Sequence, residues 1–370
     1  MNKLFVFIFL IASSIFSGAQ TSSCWQNSRG NSALQGNTEF TFPQKFKLKW
    51  TYNAEGIFKS APVVCNGKIV AGSTNGEMLC VDLTGKRVWS FKTDNSIEAS
   101  AIIHDGVVYF GNLSGTLYAV DLNSGQKRWE YKTDNQIMGA PSYTEIGRKK
   151  MILTGSYDFF LHAVDASTGN LIWKYETENY LNSSPAISGG EAIFGGCDGF
   201  LHAVSLKDGK SDQKTEVATY IASSPAVIDN RAYVGDYDGG FSCIDLAQKK
   251  IVWHFQNNES TLPFIASPSV IGNRVIIGSR DKFLYCFDKT DGSVNWKTNT
   301  GSRVDASTVV NKSQVLVVNM RGDVLLLDIV TGKIISTYEL GVGVINTPAV
   351  IDGTVVVAAS DGNIYCLTRP

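Results

Sequence analysis

Very little in this chain is suited to catalysis. It has only four histidines among 370 residues, His104, His162, His202 and His254, and they are scattered. There is no glycine-rich phosphate loop and no Ser-His-Asp spacing, and no paired carboxylates occur outside turn signals. Charged residues make up 18%, the 33 Lys and Arg nearly cancel the 34 Asp and Glu, and no basic run occurs. That balance excludes nucleic acid as a partner, because phosphate binding relies on clustered Lys and Arg. No stretch approaches the roughly 20 apolar residues that a membrane-crossing helix needs.

The abundant features are glycine, 35 residues of it, and short β-patterned runs. The stretch Ile97 to Trp129 holds Ala101–His104, Val107–Gly111 and Thr116–Asp121, closed by Asp105-Gly106, Ser114-Gly115 and Asn123-Ser124-Gly125, and then a fourth run that carries Trp129. Runs of Val, Ile, Tyr and Leu, four to six residues long and punctuated by turn residues, read as a strand meander. A single such unit leaves a sheet face uncovered, so it needs copies of itself as neighbours.

The copies are present. The residue that ends the third run recurs as Asp82, Asp121, Asp165, Ser205, Asp245, Asp288, Asp328 and Thr368, at intervals of 39 to 44 residues. Trp89, Trp129, Trp173, Trp253 and Trp296 mark the fourth run, which is degenerate at Gln213 and Ser336. Two residues after Thr368 the sequence stops without a fourth run, and an orphan one stands upstream as Lys47–Tyr52 with Trp50. This offset predicts an all-β, eight-bladed β-propeller of four-stranded antiparallel blades over residues 46–370. Its N-terminal strand closes the last blade and leaves no open sheet edge.

Residues 1–19 read as a signal peptide: Lys3, the 13-residue apolar run Leu4–Phe16, and Ser17-Gly18-Ala19 as a cleavage site. Residues 20–45 are an irregular lead-in whose Trp25, Phe40 and Phe42 point to packing on the ring. Cys80, Cys243, Cys286 and Cys366 share one small apolar position in the third run, so they are expected as buried thiols too far apart to bridge. Cys65 and Cys197 have no evident mate, and Cys24 raises a lipid-anchor alternative that its preceding Thr21-Ser22-Ser23 does not favour.

Ala119–Trp129 (AVDLNSGQKRW) and Ala163–Trp173 (AVDASTGNLIW) resemble the AxDxxTGxxxW tryptophan-docking repeat of the pyrroloquinoline-quinone (PQQ) propellers. Trp25-Gln26-Asn27-Ser28-Arg29-Gly30-Asn31 is similar to the W-x-x-x-R-G-N segment that precedes such rings, so the resemblance runs from about Trp25 to Pro370. It implies that Trp50, Trp89, Trp129, Trp173, Trp253 and Trp296 lock adjacent blades together, with weaker seams at Gln213 and Ser336. In the catalytic members the funnel holds PQQ and Ca²⁺ beneath long insertions, commonly with an adjacent-cysteine disulfide. This chain has no Cys-Cys pair, and its repeats leave no room for a lid.

No catalytic residue and no metal ligand is assigned. His162 and His202 share one strand position, which implies packing, and Asp158, Asp198, Asp238, Asp281 and Asp361 fall in turns between second and third runs. Before each first run, Ile57, Ile97, Ile137, Leu181, Ile221, Phe264, Val304 and Val344 form a uniformly apolar series, expected to be core. One residue on, Phe58, Glu98, Met138, Asn182, Ala222, Ile265, Asp305 and Ile345 vary freely, so a partner-binding surface could be written there, with Pro263 and Phe264 in the loop Gln256–Ile265 as first choice. The expected function is an exported, non-enzymatic scaffold, periplasmic or at the outer membrane. It would act as a monomeric ring on a protein partner in the cell envelope, as in the BamB-like branch of the family that serves outer-membrane protein assembly. The alternatives are a PQQ-dependent dehydrogenase using PQQ and Ca²⁺, or a quinone- or small-ligand-binding propeller.

Overall fold

Thirty-two strands in eight four-stranded antiparallel sheets make up the fold in the computed structural model, which describes residues 24–211, 214–221 and 223–370. The signal peptide expected over residues 1–19 lies outside the described residues. Blade one is Val63–Cys65, Lys68–Gly72, Glu77–Asp82 and Arg87–Lys92, and blades two to seven repeat that order. Blade eight takes its inner three strands, Ala349–Ile351, Thr354–Ala358 and Asn363–Thr368, from the C-terminus and its outer strand, Lys47–Asn53, from the N-terminus. Trp50 sits opposite Cys366 in that pairing, so the ends of the chain zip together and close the ring. The ladder consumes edge hydrogen bonds that an open first or last sheet would expose.

Burial follows the pleat. Second and third strands are buried on both faces, as in Val107–Gly111, whereas the outer strand Arg87–Lys92 buries only Trp89, with Phe91 half-buried. The hydrophobic clusters straddle seams: one joins Tyr109, Ala119 and Trp129 of blade two to Ile152, Val164 and Ala166 of blade three. Each tryptophan crosses a seam. The Nε1–H groups of Trp50, Trp89, Trp129, Trp173, Trp253 and Trp296 donate to Leu83, Leu122, Ala166, Leu206, Lys289 and Ile329 carbonyls of the next blade, at 2.8–3.2 Å. The residue opposite each tryptophan in its own sheet is small: Ala119 faces Trp129, and Cys80, Cys243, Cys286 and Cys366 face Trp89, Trp253, Trp296 and Trp50. Where Ser336 replaces the tryptophan, its opposite number is Leu326, which restores the lost volume. Gln213 lies outside the described residues. The outer strand of its blade is only Lys214–Glu216.

The lead-in winds around the propeller axis. Trp25 exchanges backbone hydrogen bonds with Val64 of blade one (2.7 and 2.9 Å), and Ile103 N–H of blade two donates to Gln26 O (2.8 Å). Ile187, Val227, Val270 and Val310 of blades four to seven then donate to Ser32, Ala33, Gln35 and Gly36, and Gly353 of blade eight donates to Thr41. The segment therefore adds a rung to the inner strands of blades one, two and four to seven, and to the turn after the inner strand in blade eight. Trp25 and Phe42 are buried with the cores of blades one, seven and eight.

Two expectations are corrected. Cys24 and Cys65 are not free thiols: they form a disulfide (Cα–Cα 4.2 Å) that ties the start of the lead-in to blade one, and this engages the Cys24 sulfur that the lipid-anchor alternative required. Their proximity arises only because the Trp25–Val64 rung brings residue 24 beside the end of an inner strand. The second correction concerns register in blade one. Ile57 is 42% exposed and Phe58 is fully buried, so Phe58 is core and not a partner contact. Ser60-Ala61-Pro62 aligns with Ser184-Pro185 through its proline, and Ala61 N–H donates to the Ser100 hydroxyl (2.8 Å) just as Ser184 N–H donates to Ser224 (2.9 Å). The mouth residue of blade one is therefore Lys59.

Candidate functional site: the funnel mouth and its aromatic rim

The first strands all start on one face of the ring, so the residue preceding each start lies at the mouth of the axial funnel. Those described are Lys59, Glu98, Met138, Asn182, Ile265, Asp305 and Ile345; Ala222 lies outside the described residues. Glu98, Met138, Asn182 and Ile345 are half-buried at this mouth, and the Asp305 side chain is only 5% exposed. Their charges are paired: Lys59 Nζ lies 2.8 Å from Glu98, and Arg280 holds both Asp305 oxygens at 3.0 and 3.1 Å with Arg303 at 3.7 Å. In the long loop, Phe264 is fully buried and is no contact site, because the core series claims it. Pro263 is half-buried, and Leu262 beside it is 48% exposed.

Outside the mouth lies a second tier that sequence reasoning passed over. Each turn between second and third strands takes a hydrogen bond to the residue just before the apolar series: Tyr157 N–H to Gln136 O, Cys197 N–H to Tyr180 O, Tyr237 N–H to Tyr220 O. These paired positions are aromatic only in blades three to five. Tyr157 stacks on Tyr180 with ring centroids 4.6 Å apart, and Phe159 packs on Tyr180 at 5.2 Å. Phe159, Tyr180, Tyr220 and Tyr237 remain 39–46% exposed. Burial, then the nearby Cys197, Tyr237, Tyr180 and Glu98, pushes the Tyr157 phenol above its usual range, so it stays a neutral hydrogen-bonding group. The available signal was tyrosine at positions where other repeats carry Ser96 and Gln136.

The histidines are structural. His162 bridges Asp158 (3.0 Å) and the Tyr131 hydroxyl of the preceding blade (3.0 Å), and His202 repeats this with Asp198 (2.9 Å) and Tyr175 (3.2 Å). Tyr285 and Tyr365 do the same for Asp281 and Asp361. Asp158, Asp198, Asp281 and Asp361 also accept the backbone N–H two residues on, which closes the turn; Asp238 instead donates its N–H to Asp236. Burial alone would raise the Asp158 and Asp198 carboxyls, but the hydrogen bond and charge of the histidine together with backbone N–H donors leave both below their usual value. Burial pushes the Cys80 and Cys286 thiols up to about 12, which makes them inert.

Neither carboxylate at the mouth is free to meet a Ca²⁺: Glu98 and Asp305 are each held by a cation of the protein. Arg29 lines the axial cavity of about 170 Å³. Among the described residues no three His, Cys, Asp or Glu side chains converge as a metal-holding group.

Residues 68–368 match the sequence family described as the β-propeller of beta-alanine-activating enzyme, and the chain belongs to that family. No curated protein matches it by sequence. Among solved structures, BamB from Moraxella catarrhalis superposes with a TM-score of 0.74 at 19% identity, covering 87% of this chain and 97% of that one. A europium-containing methanol dehydrogenase gives 0.76 at 13% identity, covering 94% and 98%. Quinohemoprotein alcohol dehydrogenase from Comamonas testosteroni gives 0.76 at 14%, covering 94% and 80%. At these identities the likeness is one of fold alone, a β-propeller shared by a protein named BamB and by dehydrogenases.

Proposed function

We propose that this protein is an exported, non-catalytic scaffold that binds a protein partner of the cell envelope through its funnel face, as a BamB-like propeller. The observation that carries the reading is the rim of Tyr157, Phe159, Tyr180, Tyr220 and Tyr237, extended by Leu262. Exposed aromatics gathered on one face mark binding surfaces, since each offers a large desolvating area with few rotors to immobilise. The paired charges beside them, Arg280–Asp305 and Lys59–Glu98, supply the polar edge that such patches carry. The Cys24–Cys65 disulfide accords with an oxidising compartment.

The test compares wild type with Tyr180→Ser/Tyr237→Ser in pull-downs from envelope extract, with melting temperature as the folding control. The reading expects one or more partners retained by wild type and lost by the folded double variant. Equal capture by both, or substrate-dependent dye reduction after loading with PQQ and Ca²⁺, sinks it.

A further inference from the structure

Arg29 is a buried cation without an anion. Its side chain is 3% exposed, and its guanidinium donates to Thr308 O (2.8 Å), Pro268 O (2.6 Å) and the Ser269 hydroxyl (3.0 Å), all neutral acceptors. Its Nε–H has no partner among the described residues. Burial pushes its pKa down to about 9, so it still carries its charge at neutral pH. Taking a full charge out of water costs several kcal/mol unless an opposite charge comes with it.

The fold holds this cation firmly in place. Gly36 of the lead-in crosses over it with φ 64°, so close that a Cβ would stand 2.1 Å from Arg29 Nη2 and 2.3 Å from Ser269 Oγ. Arg29 also lines the axial cavity of about 170 Å³. Six of the eight blades, two and four to eight, each bring one hydroxyl to the same cavity: Ser100, Ser184, Ser224, Ser267, Ser307 and Thr347.

The hydrogen-bond sense of that belt is informative. Ser100 Oγ accepts Ala61 N–H (2.8 Å), Ser224 accepts Ser184 N–H (2.9 Å), Ser267 accepts Ser224 N–H (3.2 Å), and Ser307 accepts Ser267 N–H (2.9 Å). Each of these four oxygens accepts one hydrogen bond, and no described residue takes its O–H. Four hydroxyl donors are thus free on a wall that Arg29 also lines, where Asn346 Oδ1 lacks a donor of its own. The one carboxylate on the wall, Asp305, is already held by Arg280 and Arg303, and Lys59 at the rim is paired with Glu98.

We propose that the axial cavity binds a small oxyanion of carboxylate to sulfate size, held by the hydroxyls of Ser100, Ser224, Ser267 and Ser307 and balancing the charge of Arg29. A cavity of this volume has room for such an anion and a few waters. The site needs only the fold, not the partner, so it stands apart from the scaffold reading.

Calorimetric titration of the whole protein with sodium sulfate and with sodium acetate, at ionic strength held constant by chloride, tests this. Wild type is expected to show saturable one-site binding of at least one of them. Ser224→Ala/Ser267→Ala, which leaves Arg29 and its carbonyl contacts in place, is expected to weaken that binding at least about tenfold, since each lost donor is one charge-assisted hydrogen bond. Near-UV circular dichroism shows that the double variant is folded. Absence of saturable binding to wild type overturns the proposal, as does the same affinity in the double variant, or saturable binding of CaCl₂ in place of the anions.

Discussion

The indole of Trp129 lies directly over Gly169, the turn glycine of the next blade, so that a Cβ on Gly169 would stand 2.7 Å from Trp129 Cε3. The same pairing joins Trp50 to Gly85, Trp89 to Gly125, Trp173 to Gly209, Trp253 to Gly292 and Trp296 to Gly332. The glycine of each repeat thus serves the tryptophan of the previous one, both by taking positive φ and by clearing space for a ring. Lys249, at φ 54°, holds that place in blade five, the neighbour of blade four, whose sequence carries Gln213 at the tryptophan position. No ring needs the space there.

Truncating a docked tryptophan should open one seam. Trp129→Ala is expected to cost about 3–5 kcal/mol, through lost burial and a cavity between blades two and three. Ser336→Ala should cost under about 1 kcal/mol, since Ser336 docks on nothing comparable. Denaturant midpoints of the two variants check this; similar losses would contradict the docking role.

Gly169→Ala should destabilise by about 2 kcal/mol or more, because φ is 75° and the new methyl collides with Trp129. Lys249→Gly, which relieves a left-handed side chain with no indole above it, should be neutral or stabilising by up to about 1 kcal/mol. Thermal melts would reveal whether the two changes really have opposite signs.

Reduction of Cys24–Cys65 should loosen the lead-in before the ring. Cys65→Ser is expected to lower stability by about 2–4 kcal/mol. It should also speed hydrogen exchange at Ile103 and Val64, whose rungs the segment supplies, more than at Val164 deep in blade three. Uniform exchange throughout would mean that the bridge does not anchor the segment.

Gly36→Ala should displace Arg29, because backbone and guanidinium cannot both stay where they are. Broken hydrogen bonds to a buried charge cost about 1.5–3 kcal/mol. A stability equal to wild type would show that the lead-in does not clamp the cation.

Acid should attack the seams at His162 and His202. The Asp158 and Asp198 carboxyls lie below their usual value in the folded protein. Their contribution is therefore complete above the unfolded pKa of about 3.9 and is lost as pH falls through the lower, folded value. Acid unfolding followed by circular dichroism should begin below about pH 4 in wild type. His162→Phe removes the bond that depresses Asp158, and its transition should move to higher pH.

Much of the fold could be read along the chain because a propeller repeats one local pattern eight times. Turn glycines, the Asp before them and alternating apolar runs report on neighbours within about 40 residues, and the orphan Trp50 run had only one sheet left to join. The site was less legible. Phe58 looked like surface in a position series, and Phe264, though in the core series, was also offered as a loop contact; a one-residue slip at Ser60-Ala61-Pro62 and the burial of Phe264 place both inside. Period-2 patterns invert with a single-residue shift, so a register error turns core into surface.

Sequence alone determined the number of blades, the closure of the last blade by the Trp50 run, and the small apolar position shared by the third strands, since all follow from spacing and side-chain size. Only the tertiary structure decided that Cys24 meets Cys65, that tyrosines from blades three to five form one rim, and that Arg29 sits on the axis among serine hydroxyls. Those contacts join residues tens to hundreds of positions apart. They exist because eight sheets converge on one axis, and convergence in space leaves no periodic trace in the chain.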